Sequence, residues 1–480
     1  MTMLDVLIIG AGLSGIGAAR HLQRECPDKT WRIWEARTQM GGTWDLFRYP
    51  GVRSDSDMHT LGYSFKPWRG EQAMADGPSI LRYIQEAAQE TGVAAHIAYD
   101  HRVVSAAWSS DTACWTFTAQ RSDGTQVQQQ ARFLYLCGGY YSYAQGHQPH
   151  FEGQENFQGA LVHPQFWPEG LSHAGKRVVV IGSGATAVTL VPAMAETATH
   201  VTMLQRSPSY VVNRPGRDHL ALWLDRWLPS SVAYGLTRWK NILQGLLYFQ
   251  LARRYPVFFK TYLLQLVNQA LRGQVDVARH FTPRYNPWDQ RVCAVPDGDL
   301  FRQMNRGQAS VVTDTISHFT PEGVALQSGT VLPADIVVMA TGLQLNVLAD
   351  IVFEVDGKAV VAGDSFAYKG MMLSGVPNMA MAFGYTNASW TLKADLTAGF
   401  VCRLLKHMDR EGYRAVCPQA EGPLQPEPFL DFSSSYVVRA TDRLPKQGPR
   451  SPWRVHQNHV MDLLALRLGR LDDGVLRFVR

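Results

Sequence analysis

Apart from Asp5, every position from 4 to 9 (LDVLII) is apolar, and the run stops at Gly10. Apolarity on successive rather than alternate residues predicts a strand buried on both faces of a parallel sheet. Gly10, Gly12 and Gly15 follow, and a helix opening near Ser14 sets Ala18, Ala19 and Leu22 toward the sheet. The next strand, WRIWE, ends on Glu35. The same order recurs later: RVVVI runs into GSGATAV, a helix extends to about Glu196, and HVTMLQRS predicts a strand ending in Arg206-Ser207. Between these units the pattern changes to short strands, VVSAAW, WTFTAQ and QVQQQARFLYLC, with a hairpin turn at Asp123-Gly124. They predict a small antiparallel sheet inserted in the first domain. Residues 214–272 switch to helical clusters such as ALWLDRWL, ILQGLLYFQLARR and VFFKTYLLQLV. HFTPRYNPWDQRVC then reads as a loop, VVTDTISHF and GVALQ as hairpin-like strands, and ADIVVMATG as a buried strand handing the chain back to the first domain. VPNMAMAFG predicts one more strand and TLKADLTAGFVCRLLKHM an amphipathic helix, while the Pro-rich tail from Pro418 is less readable.

Glycines at this spacing let a strand-to-helix turn bring its backbone N–H groups against a pyrophosphate, at the positive end of the following helix. The predicted fold is therefore α/β, with two Rossmann-like dinucleotide-binding domains. The first is discontinuous, residues 1–145 and 343–480; the second covers 146–342 and carries a helical insertion at about 218–275. Glu35 is spaced to accept from a ribose hydroxyl and disfavours a 2′-phosphate. At the matching place in the second unit Arg206-Ser207 suits that phosphate, so NADPH is preferred there over NADH. Two nucleotides held near each other imply electron transfer between them. The turn Gly41-Gly42-Thr43-Trp44-Asp45 allows close backbone approach to a cofactor, with Trp44 offering a flat apolar surface. The loop RYPGVRSDSD gathers Arg53, Asp55 and Asp57 after a Pro-Gly turn.

Composition narrows the class. At 480 residues, 46% hydrophobic and 18% charged, the chain reads as globular, with two or three domains. A net charge of +5 without an aromatic-interleaved basic run argues against nucleic acid. Six scattered cysteines form no CxxC, metal-ligand cluster or disulfide framework, so reduced thiols in the cytoplasm are expected. No uncharged run reaches the length of a membrane span. Residues 214–272 nevertheless hold nine Lys/Arg against two Asp/Glu. Such helices suit peripheral contact with the inner face of an anionic membrane, the alternative being packing on their own domain.

Phe157, Gly159, His163, Trp167 and Pro168 spell FxGxxxHxxxWP between the two nucleotide units. On this signature the chain resembles the Baeyer-Villiger monooxygenases, the class B flavin enzymes. GGTWD, RYPGVRSDSD, GYTNASWTLKADL and LPKQG further resemble their ethionamide-activating subgroup. The resemblance implies FAD held by Gly10, Gly12, Ser14, Gly15, Glu35, Gly42, Thr43, Trp44, Asp45, Leu46, Arg53, Ser54, Asp55 and Val103. It implies NADPH held by Gly182, Ser183, Gly184, Ala185, Thr186, Ala187, Val188, Arg206 and Ser207. Flavin reduced by NADPH would react with O₂ to a C4a-peroxyflavin that converts a ketone to an ester or lactone, with thioether sulfur as a second substrate. Arg291 aligns with the family's active-site arginine and Asp55 with the carboxylate that orients it. The signature resembles an interdomain linker, so His163 and Trp167 are expected to govern domain geometry. Gln290 departs from the lysine of many relatives, and SYVVRATDRLPKQG replaces the family's usual C-terminal loop. Competing readings are a flavin monooxygenase acting mainly on sulfur or nitrogen, and a non-catalytic membrane-surface protein binding both nucleotides.

Overall fold

The computed structural model describes residues 2–480. Leu4–Ile9 takes the interior place its apolar run predicts: it pairs in parallel with Trp31–Trp34 on one side and Gln126–Leu136 on the other. These strands belong to a nine-stranded sheet. A second sheet has five parallel strands, in the order Ala309–Thr313, His200–Gln205, Arg177–Ile181, Ile336–Met339, Ala160–Val162. Arg177–Ile181 lies at its centre, buried from Val178 onward. Each central strand therefore delivers its glycine turn to the carboxyl edge of its sheet, where ligands of open α/β sheets sit.

Two sequence expectations change. The antiparallel hairpins are not a separate inserted sheet, because Gln126–Leu136 serves both arrangements. Up to Ala131 it pairs antiparallel with Cys114–Gln120; from Leu134 it runs parallel to Met379–Met381. Its burial switches from alternating to continuous along its length, and that switch marks the change of partner. VVTDTISHF is likewise two strands. Ala309–Thr313 joins the parallel sheet, whereas Ile316–Thr320 forms a hairpin with Gly323–Leu326.

The helices predicted at about 218–275 are His219–Trp227, Ser230–Arg254 and Pro256–Ala270. None of the described helices is long and apolar enough to cross a membrane.

Leu13–Glu25 packs on Trp390–Glu411 beside the first sheet. Their contact includes one buried polar group. The His21 ring lies 2.9 Å from Glu25 Oε1 through Nδ1 and 2.7 Å from Asp395 Oδ1 through Nε2. Burial alone would depress this imidazole, but the two carboxylates override it and hold its pKa up to about 9. A raised native pKa contributes stability that is complete below the ordinary value of 6.5 and is lost as pH rises through about 9. Thermal denaturation from pH 6 to 10 is expected to show a decline of about 3 kcal/mol in wild type, absent from His21→Gln. Parallel curves for the two proteins would contradict this assignment.

Candidate active site between the two sheets

The carboxyl edges of both sheets face one cavity of about 490 Å³. Its walls include Gly10, Gly12, Ser14 and Glu35 from the first nucleotide unit, and Gly42, Thr43 and Trp44 from the following turn. Ala185 and Thr186, from the first turn of the second unit's helix, line it as well. A larger groove of about 1720 Å³ lies along the Arg53–Asp299 pair, but no residue of either glycine turn lines it. Gly10 and Gly12 of the first turn, and Ala185 and Thr186 directly after the second, line the smaller one.

The first turn is shaped by backbone proximity. Gly10 has φ +102°, and a Cβ there would lie 2.6 Å from the Cys137 carbonyl oxygen. Gly12 and Gly42 face each other so closely that a Cβ on Gly42 would sit 3.0 Å from Gly12 Cα. That leaves a slot walled by main chain, open to a ligand's phosphates. Glu35 is buried at the end of its strand; Oε2 accepts from Ala11 N at 2.6 Å and Oε1 from Arg37 N at 2.9 Å. Burial pushes its pKa up against those two hydrogen bonds. The second turn repeats the device: Gly182 has φ +142° and its missing side chain would strike the Ala340 carbonyl. Ser183 Oγ lies 2.8 Å from Ser209 Oγ and donates to Ser207 O at 3.0 Å. Gly184, Arg206 and Ser207 are exposed and do not line the cavity.

The loop RYPGVRSDSD joins the two halves. Gly51, Arg53, Asp55 and Asp57 all reach the second unit. Gly51, at φ +75°, leaves room for Thr189 and Ala193 of the helix Ala185–Met194. Arg53 Nη1 donates to Asp299 at 2.5 Å. Asp57 accepts from Asn241 Nδ2 at 2.9 Å while capping the helix Met58–Leu61. Asp55 takes Arg291 in a two-point contact, Nε to Oδ2 at 2.8 Å and Nη2 to Oδ1 at 3.1 Å. Asp55 raises the Arg291 pKa above its usual value, against burial. The guanidinium is thus a permanent cation whose orientation is fixed by a carboxylate, and both groups line the cavity.

Several expected residues lie elsewhere. Asp45 is buried and its carboxylate is engaged by Arg37 at 2.5 Å and Arg48 at 3.3 Å. Leu46 packs on the first sheet's core. Neither lines the cavity, and Gly15, Ala187 and Val188 shape the turns from behind. Val103, Arg53 and Ser54 do line it. Gln290 donates to Ser433 O at 3.3 Å. The sequence did not single out Tyr140, Phe383, Phe432 and Tyr436, all on the cavity wall. Tyr140 stacks on Trp390 with ring centres 5.0 Å apart, and the Trp390 indole donates to Ser14 Oγ at 2.8 Å. Burial pushes the Tyr140 and Tyr436 phenols up, so both remain neutral donors beside Arg291. The signal for Tyr140 was the Gly138-Gly139 that precedes it; Tyr436 lay in the unreadable tail.

The FxGxxxHxxxWP residues sit where two chain segments pass between the sheets. His147 N donates to Gly342 O at 3.0 Å, Ser142 N to Gln344 O at 2.7 Å and Asn346 N to Tyr140 O at 2.9 Å. His163 is buried over Gly146, whose absent side chain leaves the space the imidazole fills. Its Nδ1 accepts from Gln165 N at 3.2 Å, and Gln165 Nε2 donates to Ser142 O at 2.8 Å. Trp167 is half-buried against the second sheet's core, and Phe157 meets Phe319 edge-on at 5.9 Å.

The flavin-binding monooxygenase-like family matches residues 4–382. The chain is 52% identical over 479 residues to the FAD-containing monooxygenase EthA of Mycobacterium tuberculosis, covering 99% of this chain and 98% of that protein. It is 47% identical over 480 residues to the probable FAD-binding monooxygenase AlmA of Acinetobacter baylyi, covering 99% and 96%. Among solved structures, oxidised steroid monooxygenase bound to NADP superposes with TM-score 0.76 at 21% identity, over all of both chains. Cyclohexanone monooxygenase from Rhodococcus sp. Phi1 bound to NADP+ gives 0.73 at 22% identity, over 87% of each.

The packing of His163 on Gly146 yields a double-mutant test. Gly146→Ala is expected to cost about 1–3 kcal/mol by denaturant unfolding in wild type and much less in a His163→Ala background. Additive losses would contradict the contact.

Proposed function

The chain belongs to the flavin-binding monooxygenase-like family, and on that premise we propose that it is an NADPH- and O₂-dependent Baeyer-Villiger monooxygenase, converting ketones to esters or lactones and also oxidising thioether sulfur. In this reading residues 1–145 and 343–480 form the FAD domain and 146–342 the NADP domain. FAD fits the first unit on the chemistry of its walls. The Gly10, Gly12 and Gly42 slot admits a pyrophosphate, Glu35 offers a carboxylate to a ribose, and Trp44 and Tyr140 supply apolar faces for a ring system. Arg206, exposed and without an ion pair among the described residues, suits the 2′-phosphate of NADPH at the second. Bound at the first unit, FAD would take hydride from NADPH and, with O₂, supply the oxygen atom inserted into the substrate.

The single observation carrying the ketone reading is Arg291, aimed into the cavity by Asp55. Oxygen insertion beside a carbonyl builds negative charge on the carbonyl oxygen. A cation held in place beforehand stabilises that charge without reorganising when it appears. Asp55 keeps the guanidinium from swinging away. Tyr140 and Tyr436 add neutral donors, and the aromatic wall of Phe383, Trp390 and Phe432 keeps water from the reacting atoms.

Arg291→Ala is expected to purify yellow with full flavin content while ester formation from a ketone drops by about 10²–10³-fold. Product formation at the wild-type rate would remove Arg291 from the chemistry, and running a thioether in parallel separates sulfur oxidation from carbonyl chemistry. Arg206→Ala is expected to raise KM for NADPH at least about tenfold and leave that for NADH nearly unchanged. Equal effects on both would remove the phosphate contact.

A further inference from the structure

The helix Ser230–Arg254 is apolar on its outward side as well as its inward one, where Ile242 and Ala252 are buried. Its inward face is anchored by polar groups: Arg238 Nη1 donates to His59 O at 2.7 Å and Gly62 O at 2.8 Å, and Tyr234 OH to Tyr63 O at 3.1 Å. Its outward face carries Val232, Leu236, Trp239, Leu243, Leu247 and Leu251, all exposed at helical spacing. Neighbouring elements extend this surface. Trp227 on the preceding helix is 73% exposed, and Val257 and Phe258 on the following one 76% and 71%. Past Trp239, which lies 6.0 Å from His459, Met461, Leu464 and Leu468 of the C-terminal segment are exposed too. A contiguous apolar surface of this extent marks a docking face.

Charge selects the partner. From 226 to 275 the chain holds no Asp or Glu. Lys240 is tied to Asp218 at 2.5 Å and Arg253 to Asp289 and Asp431 at 3.0 Å, and Lys260 donates to Pro283 O. Arg226, Arg254 and Arg272 are exposed and carry no ion pair among the described residues. Fewer free cations remain than the sequence excess suggested, so apolar burial dominates and charge assists. Leucines flanked by tryptophan, tyrosine and unpaired arginine are the composition of an element lying in a lipid headgroup layer.

A second cavity of about 280 Å³ lies beside this face. Phe249 and Gln250 of the helix and Met461 of the C-terminal segment line it, while Thr386 and Phe432 are shared with the larger cavity. We propose that this helical face docks on an anionic lipid bilayer and turns the side cavity toward it, so that apolar substrates dissolved in the bilayer reach the site without crossing water. The access route rests on the oxygenation reading above; the docking does not.

The test uses the intact flavoprotein and sucrose-loaded vesicles of phosphatidylcholine, with and without phosphatidylglycerol. Wild type is expected to sediment with both and several-fold better with phosphatidylglycerol. The triple variant Leu236→Glu, Leu243→Glu, Leu247→Glu, with unchanged flavin content, is expected to lose binding at least about tenfold. It should turn over a short water-soluble ketone as wild type does, with KM for a vesicle-dissolved long-chain ketone raised severalfold. Failure of wild type to sediment, or equal sedimentation of the variant, would overturn the docking. So would a wild-type dimer, dissolved by the triple substitution, in a protein that ignores vesicles. Sedimentation with no turnover of either ketone would uphold the docking and overturn the oxygenation reading instead.

Discussion

The contact on which the site's geometry depends is the two-point pairing of Arg291 with Asp55. Its contribution to stability is small, because the side chains keep 35% and 30% of their surface exposed and solvent screens much of the attraction. Its contribution to position is large. Arg291 arrives from a loop rich in Pro and Asn, ahead of the strand Cys293–Pro296, and its own backbone would not fix a long side chain. A bidentate carboxylate does.

Asp55 can hold that arginine only because its own loop is held at several points. Gly51 against Thr189, Arg53 to Asp299 and Asp57 to Asn241 flank it on alternate residues, all reaching the second unit. This loop thereby sets the separation of two sheets that share no strand. The crossing segments near His147 and Gly342, locked by His163 over Gly146, set it from the other end. Between those fixed points lies one cavity, lined by Gly10 and Gly12 of the first turn and by Ala185 and Thr186 directly after the second.

The main architecture was legible because burial writes itself into hydrophobic pattern. LDVLII and RVVVI announced strands covered on both faces, and the glycines after them announced turns whose φ values and carbonyl contacts no other residue fits. Arg291, Asp55 and the FxGxxxHxxxWP positions came from resemblance rather than from pattern. What stayed hidden depended on long-range pairing. Gln126–Leu136 changes partner midway, and no local period encodes that. The pairing of Asp45 with Arg37 could not be read from the sequence. Tyr436 and Phe432 lie in a tail whose conformation is imposed by the surface it covers, so its sequence has no periodicity to read. The helices of residues 214–272 read as suited either to a membrane surface or to packing on their own domain, and only the structure shows which face of Ser230–Arg254 is buried.

The central claim is spatial: the Arg291 guanidinium stands against the flavin ring, with the nicotinamide reaching the same place from the second unit. A crystal structure of the protein with FAD and NADP⁺ bound measures it directly. The account requires the guanidinium within hydrogen-bond or van der Waals contact of the ring, roughly 3–4 Å, with Asp55 still paired behind it. A ring bound elsewhere, or an arginine turned out of the cavity in both nucleotide-bound subsites, would contradict it.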